Sequence, residues 1–407
     1  MNIQDTIERA LKAAGLNTRS GPMRGVTETI RRALSSAGLG GGVTPPPNAA
    51  PAPRAPGKSD TIDVVAREVA TPPDTEAPAA KRPATEPAPP AEAEDTAEAA
   101  QAAEGQFLAG SFSAAVGSRA YKLYLPPQAA KAKVRAMPLV VMLHGCTQSA
   151  DDFAAGTQMN RLADQHGFLV LYPEQAVAAN ASRCWNWFRA ESQAREGGEA
   201  ELIADMVQAM VAEHPVDAKR VFVAGLSAGA AMAVILGETY PELFAAVGAH
   251  SGLPYAAAHD ISSALSAMKG HAVMGMPHFP GTADDPRRQT TQAVPTIVFH
   301  GDHDRTVKPS NAEHIEQQAL GAHAAQPAAA GPAGLSSRTE QGVAPGGRGY
   351  TRTVHSDASG QPRVEVWTLH GAGHAWSGGD AAGSYTDSNG PDASAEMLRF
   401  FMAQPAG

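Results

Sequence analysis

The chain has 407 residues, of which 43% are hydrophobic and 18% charged, so it can bury a sizeable core. Its 40 glycines and 32 prolines exceed what one compact fold uses and point to low-complexity segments. A formal net charge of -9 argues against nucleic acid or anionic lipid as a partner, and no apolar run is long enough for a transmembrane segment.

Residues 1–40 hold a repeat. Thr6–Leu16 returns as Thr29–Leu39, with Ile7, Leu11 and Ala14 matched by Ile30, Leu34 and Ala37. That spacing places three apolar side chains on one helical face, and each copy closes on a glycine, Gly15 or Gly38, suited to a helix C-terminus. Such short amphipathic helices need a partner surface to be stable. Residues 41–104 are rich in Pro, Ala, Thr and Glu, as in Pro45–Pro47 and Glu86–Pro90, and are expected to form a disordered linker. The N-terminus is polar, and no apolar signal segment follows it. The expected location is therefore cytoplasmic, with an extracellular location as the alternative.

From about residue 105 strands and helices alternate. Phe107–Ala114 and Ala120–Leu125 are expected strands. They are followed by strand Pro138–Leu143, helix Ala150–His166, strand Phe168–Tyr172 and helix Glu199–Glu213. Next come strand Val221–Ala224, helix Ala228–Glu238, and strands Phe244–Ala249 and Thr296–His300. Helix Pro309–Leu320, strand Arg363–Thr368 and helix Ala393–Met402 close the series. Buried strands separated by helices predict an α/β fold, a mainly parallel sheet covered on both faces. Residues 321–349, full of Ala, Gly and Pro, are expected to be a flexible surface insertion. Met268–Phe279 reads either as a mobile cover or as core.

The chemistry centres on Gly225-Leu226-Ser227-Ala228-Gly229, where an apolar strand passes through a tight turn into a helix. Gly-x-Ser-x-Gly in that context is a nucleophile elbow, and the competing reading is an ordinary glycine-rich βα turn. After the strand ending at His300 come Asp302 and Asp304; after the last strand come His370 and His374. The order Ser…Asp…His, with each residue beyond a strand's carboxyl end, is that of an α/β-hydrolase triad. A serine hydroxyl needs a neutral imidazole to take its proton and a carboxylate to orient that imidazole. Ser227, His374 and Asp304 are the preferred candidates, with Asp302 as rival acid and His300, His303 and His370 as rival bases. The oxyanion hole needs two backbone N–H groups, for which Ala228 and Cys146 are chosen. Cys146 as a thiol nucleophile has the weaker context. Trp185, Trp187 and Trp376 are candidate aromatic walls for a substrate, with core as the competing reading.

Leu143-His144-Gly145-Cys146-Thr147-Gln148, Cys184-Trp185-Asn186-Trp187-Phe188, the Ser227 elbow, His250–Tyr255 and Gly373-His374-Ala375-Trp376 resemble the polyhydroxybutyrate depolymerase family of esterases across residues 107–403. The resemblance implies an α/β-hydrolase fold, the triad Ser227, Asp304 and His374, and an oxyanion hole at Cys146 and Ala228. It implies serine-esterase hydrolysis of poly(3-hydroxybutyrate) or its oligomers, with no metal and no cofactor. It further implies a disulfide between Cys146 and Cys184. Feruloyl and acetylxylan esterases are similar to the same motifs. A binding protein on a hydrolase scaffold is the rival from another class. The secreted members carry their extra module after the catalytic domain, whereas here the additional residues are N-terminal. That arrangement resembles depolymerases acting on storage granules, which makes a polyester granule surface the expected partner of residues 1–40.

Overall fold

The structure is a computed structural model that describes residues 105–130, 135–271, 292–326 and 334–405. The N-terminal repeat, the Pro/Ala-rich linker and most of Met268–Phe279 lie outside the described residues. Two units are distinguished, Met1–Ala99 and Ala100–Gly407, and the second carries everything that follows.

A ten-stranded sheet forms its centre. The strands are β1 (Gln106–Ala114), β2 (Gly117–Leu125), β3 (Met137–Leu143), β4 (Leu169–Pro173), β5 (Val216–Leu226), β6 (Ala246–His250), β7 (Thr296–Gly301), β8 (Ser336–Val343), β9 (Gly349–Ser356) and β10 (Pro362–Leu369). Their order is β1-β2-β4-β3-β5-β6-β7-β10-β9-β8. The interior run β4-β3-β5-β6-β7-β10 is parallel, and antiparallel strands flank it at both sides. This is the expected α/β-hydrolase fold.

The period of two along each interior strand feeds two separate cores. Leu139, Val141 and Leu143 of β3 point to one face with Val221 and Val223 of β5. Helices α3 (Glu199–Glu213), α4 (Ala228–Thr239), α5 (Ile261–Met268) and α6 (Ser310–Ala324) close over that face. Val140, Met142, Phe222 and Ala224 point to the other, under α1 (Ala150–Thr157), α2 (Met159–His166) and α7 (Ala393–Ala403). Burial on both faces is why these strands read as continuous apolar runs.

Two expectations change. The helix anticipated over Ala150–His166 is two helices, because Gln158 adopts φ 55° and ends the first while capping the second. The stretch 321–349 is a flexible insertion neither at its start nor over 336–343. Gly321–Ala324 finishes α6, and Ser336–Val343 forms β8, paired along its length with β9. Cross-strand partners such as Thr339 with Thr353 and Glu340 with Arg352 hold that pair, so polar side chains do what apolar alternation does elsewhere.

Candidate active site

β5 ends at Leu226, and α4 starts at Ala228, leaving Ser227 alone in the turn with φ 57° and ψ −117°. A non-glycine residue holds such a conformation only where its surroundings over-determine it. Here they do. Ser227 N–H donates to His250 O at 2.9 Å, and Ser227 O accepts from Ala231 N–H at 3.0 Å. A Cβ on Gly229 would lie 2.0 Å from Leu143 O, and one on Gly225 2.4 Å from the Gly229 carbonyl carbon. The flanking glycines are thus required by close approach. Ser227 occupies a helix N-cap, yet its hydroxyl makes no capping bond, so it stays available for chemistry.

The candidate acid and base meet from the loops after β7 and β10. His374 Nδ1–H donates to Asp304 Oδ2 at 2.7 Å. Asp304 is buried, and its Oδ1 accepts the N–H groups of Thr306 and Val307 at 2.8 and 2.9 Å. Burial pushes the Asp304 pKa up, but the hydrogen bonds from His300 and His374, the His374 charge and the Val307 N–H outweigh it. The carboxyl is held well below the usual range and stays ionised. His300 Nε2 donates to Val307 O at 2.9 Å, lies 3.4 Å from Asp304 Oδ2 and is buried. The rival pair is also joined: His370 Nδ1–H meets Asp302 Oδ2 at 3.1 Å, and Gly371 N–H meets Asp302 Oδ1 at 2.7 Å. That pair lies on the surface and clamps the same two loops together. His303 is exposed.

Behind the serine, His250 links the elbow to the base loop. Its Nε2 accepts from Ser377 N–H at 3.0 Å, and its ring stacks on Trp376 at 5.2 Å. Burial, with smaller contributions from His300 and His374, lowers its pKa to about 3, so it is neutral.

The loop after β3 lies against the elbow: a Cβ on Gly145 would stand 3.6 Å from Ser227 Cβ. Its peptide groups can be accounted for one by one. His144 O accepts from the Trp185 indole N–H at 3.1 Å, and Gly145 N–H donates to Gln148 Oε1 at 2.9 Å. Gly145 O accepts from His144 Nδ1–H at 2.7 Å and from Gln148 N–H at 3.3 Å. Thr147 N–H donates to Ser182 O at 2.7 Å. Among the described residues the Cys146 N–H is left without an acceptor. In a trans peptide the N–H points opposite to the C=O, so pinning Gly145 O fixes where the Cys146 N–H points.

Cys146 and Cys184 form a disulfide, tying this loop to the Trp185–Trp187 segment. A buried network unread in the sequence supports that segment. Glu199 pairs with Arg119 at 3.0 Å and accepts from Asn186 N–H at 2.6 Å and Gln175 Nε2 at 2.6 Å. Gln175 N–H in turn donates to His144 Nε2 at 3.0 Å, which leaves the His144 proton on Nδ1, aimed at Gly145 O. Glu199 carried only a helix-start signal, and its partners lie up to 80 residues away, so no local pattern revealed them.

The tryptophans correct an expectation. Trp185, Trp187 and Trp376 are 0%, 5% and 1% exposed. The Trp376 indole N–H donates to Ser394 Oγ at 3.1 Å, and Phe153 meets its ring edge-on at 5.4 Å. All three brace loops from within the two cores instead of offering open walls to a substrate.

The family model for esterase PHB depolymerases matches residues 119–341, more than half of the chain. The chain belongs to this family. Poly(3-hydroxyalkanoate) depolymerase C of Paucimonas lemoignei is 35% identical over 242 residues, covering 58% of this chain and 54% of that protein. Acetylxylan esterase A of Aspergillus oryzae is 30% identical over 242 residues, covering 54% of this chain and 76% of that protein. This family member therefore spans about half the length of the depolymerase it matches. Among solved structures, an acetyl xylan esterase from Aspergillus awamori aligns with TM-score 0.55 and 20% identity over 74% of this chain and all of that one, a likeness of fold.

Proposed function

We propose that the protein is a serine carboxylesterase acting through an acyl-enzyme, with hydroxyalkanoate polyester or its oligomers as substrate. The observation that carries the reading is the strained, uncapped Ser227 at the end of β5 with the 2.7 Å His374–Asp304 pair after β10 and β7. Ser227 Oγ attacks the ester carbonyl while His374 Nε2 takes its proton, and Asp304 fixes the tautomer and steadies the imidazolium. The carbonyl oxygen gathers charge between the N–H groups of Cys146 and Ala228, the second at the positive end of α4. The alcohol leaves with the proton from His374. Water then enters, its oxygen bonding the acyl carbon as its proton passes to the same nitrogen, and the acid leaves when the bond to Ser227 Oγ breaks and His374 returns that proton to Oγ.

The likeness to the Paucimonas lemoignei depolymerase favours the polyester. A second reading, deacetylation of xylan, is favoured by the Aspergillus oryzae relative, which is matched over more of its length. The disulfide favours the extracellular alternative over a cytoplasmic location. A binding protein on this scaffold would have no use for a buried ionised carboxylate aligned on a histidine. Ser227→Ala should lower kcat by a factor on the order of 10⁴–10⁶. Retained hydrolysis would remove this mechanism. Comparing polyester granules, soluble hydroxybutyrate oligomers, p-nitrophenyl butyrate, acetylated xylan and methyl ferulate separates the substrates.

A further inference from the structure

We propose that Tyr385 is the residue that grips the substrate chain beyond the reacting ester, and so selects extended esters over short ones. The inference deepens the esterase reading and rests on it. With the tryptophans buried, Tyr385 is the aromatic among the large exposed apolar side chains of the described residues, at 48% exposure.

Its position is set from both sides of the site. The short strands β11 (Trp376–Ser377) and β12 (Thr386–Asp387) pair in parallel, and Trp376 N–H donates to Tyr385 O at 2.7 Å. That contact fixes Tyr385 two residues' reach from His374. On the other side its hydroxyl lies 3.3 Å from Thr147 Oγ1, on the residue after Cys146. The preceding residue is anchored as well: Ser384 N–H donates to Asp152 Oδ1 at 2.9 Å, and Gln148 Nε2 donates to Ser384 O at 3.1 Å. Gln148 is the residue that also receives Gly145 N–H. These bonds hold Tyr385 at φ 53°, a conformation a bulky side chain does not adopt unaided. The ring therefore stands on the rim between the base loop and the oxyanion loop.

The hydroxyl has a defined task. Thr147 Oγ1–H donates to Cys146 O, so Thr147 Oγ1 accepts from the tyrosine O–H. The phenol is tethered, and what it offers a substrate is its ring. An aromatic face suits a chain whose ester groups are separated by methyl-bearing carbons, and an acetyl ester offers it no such chain.

The test uses the full chain carrying Tyr385→Ala or Tyr385→Phe, with hydroxybutyrate trimer and p-nitrophenyl acetate as substrates. Tyr385→Ala should lower kcat/KM for the trimer about tenfold, mainly through KM, and leave p-nitrophenyl acetate within about twofold. Tyr385→Phe, which keeps the ring, should stay within about twofold on both. An equal loss on short and long esters would mean that the ring only braces the loops, and an unchanged trimer rate would mean it touches nothing; either overturns the proposal. If the wild type cleaves methyl ferulate but not the trimer, the polyester reading fails; a loss of about tenfold in kcat/KM on methyl ferulate in Tyr385→Ala with p-nitrophenyl acetate unchanged then still supports the proposal, and no such loss overturns it. A wild type confined to p-nitrophenyl acetate overturns the proposal too.

Discussion

His250 stands behind Ser227 with both ring nitrogens engaged, Nε2 by Ser377 N–H and Nδ1 by Ser251 Oγ at 3.2 Å. It is fully buried, with a pKa lowered to about 3. His144 is buried in the same way, and burial likewise lowers its pKa against the opposing pull of its bond to Gly145 O. In the unfolded chain both titrate near the ordinary value of about 6.5. Below that pH the unfolded chain binds more protons than the folded one, so stability rises with pH through this window and falls on acidification. Each histidine should contribute a slope of up to about 1.4 kcal/mol per pH unit below pH 6.5. Guanidinium unfolding at pH 7, 6 and 5 reads the slope, and His250→Gln should make it shallower. A variant with the wild-type slope would show that His250 is protonated in the fold.

At the scale of the element, the disulfide closes 38 residues of sequence and joins the oxyanion loop to the tryptophan segment. Chain entropy alone puts its contribution at about 4 kcal/mol. Cys184→Ser should therefore lower the melting temperature by several degrees. It should also cut kcat more than it raises KM if, as proposed, the loosened Cys146 N–H is an oxyanion donor. A loss confined to stability would separate the bridge from catalysis. The strand-end positions of the proposed triad residues are legible in the sequence because apolar runs mark each strand: Val221–Leu226 before Ser227, Thr296–Gly301 before Asp304, Pro362–Leu369 before His374. What escaped has a physical reason in each case. β8 and β9 hold together by polar partners, so no hydrophobic period announces them. The break at Gln158 depends on one left-handed residue without a glycine or proline to signal it. The Trp185 ring looked available because a loop carries it, whereas it is buried in a core drawn from distant elements, with its indole N–H on His144 O, forty-one residues earlier.

At the scale of the whole molecule, Ala100–Gly407 is a compact unit containing both cores and all the proposed catalytic groups. A truncated chain beginning at Ala100 should fold and hydrolyse p-nitrophenyl butyrate within about twofold of the full chain. Comparing the two on polyester granules then reads what residues 1–40 add: sedimentation that drops with the truncation supports granule contact, and equal sedimentation sinks it. Among the described residues no helix is long and apolar enough to cross a membrane.

A sheet of ten strands also has to stop. β8 lies at its border with backbone groups directed outward, and its sequence Ser336-Ser337-Arg338-Thr339-Glu340-Gln341 is exposed nearly throughout. An apolar strand in that place would be a template on which a neighbouring molecule could add its own strand. Arg338 and Glu340 make such an addition costly, because the incoming chain would have to strip water from charges it cannot pair. The same polarity that hid β8 from a reading of hydrophobic period therefore disfavours strand addition at this border.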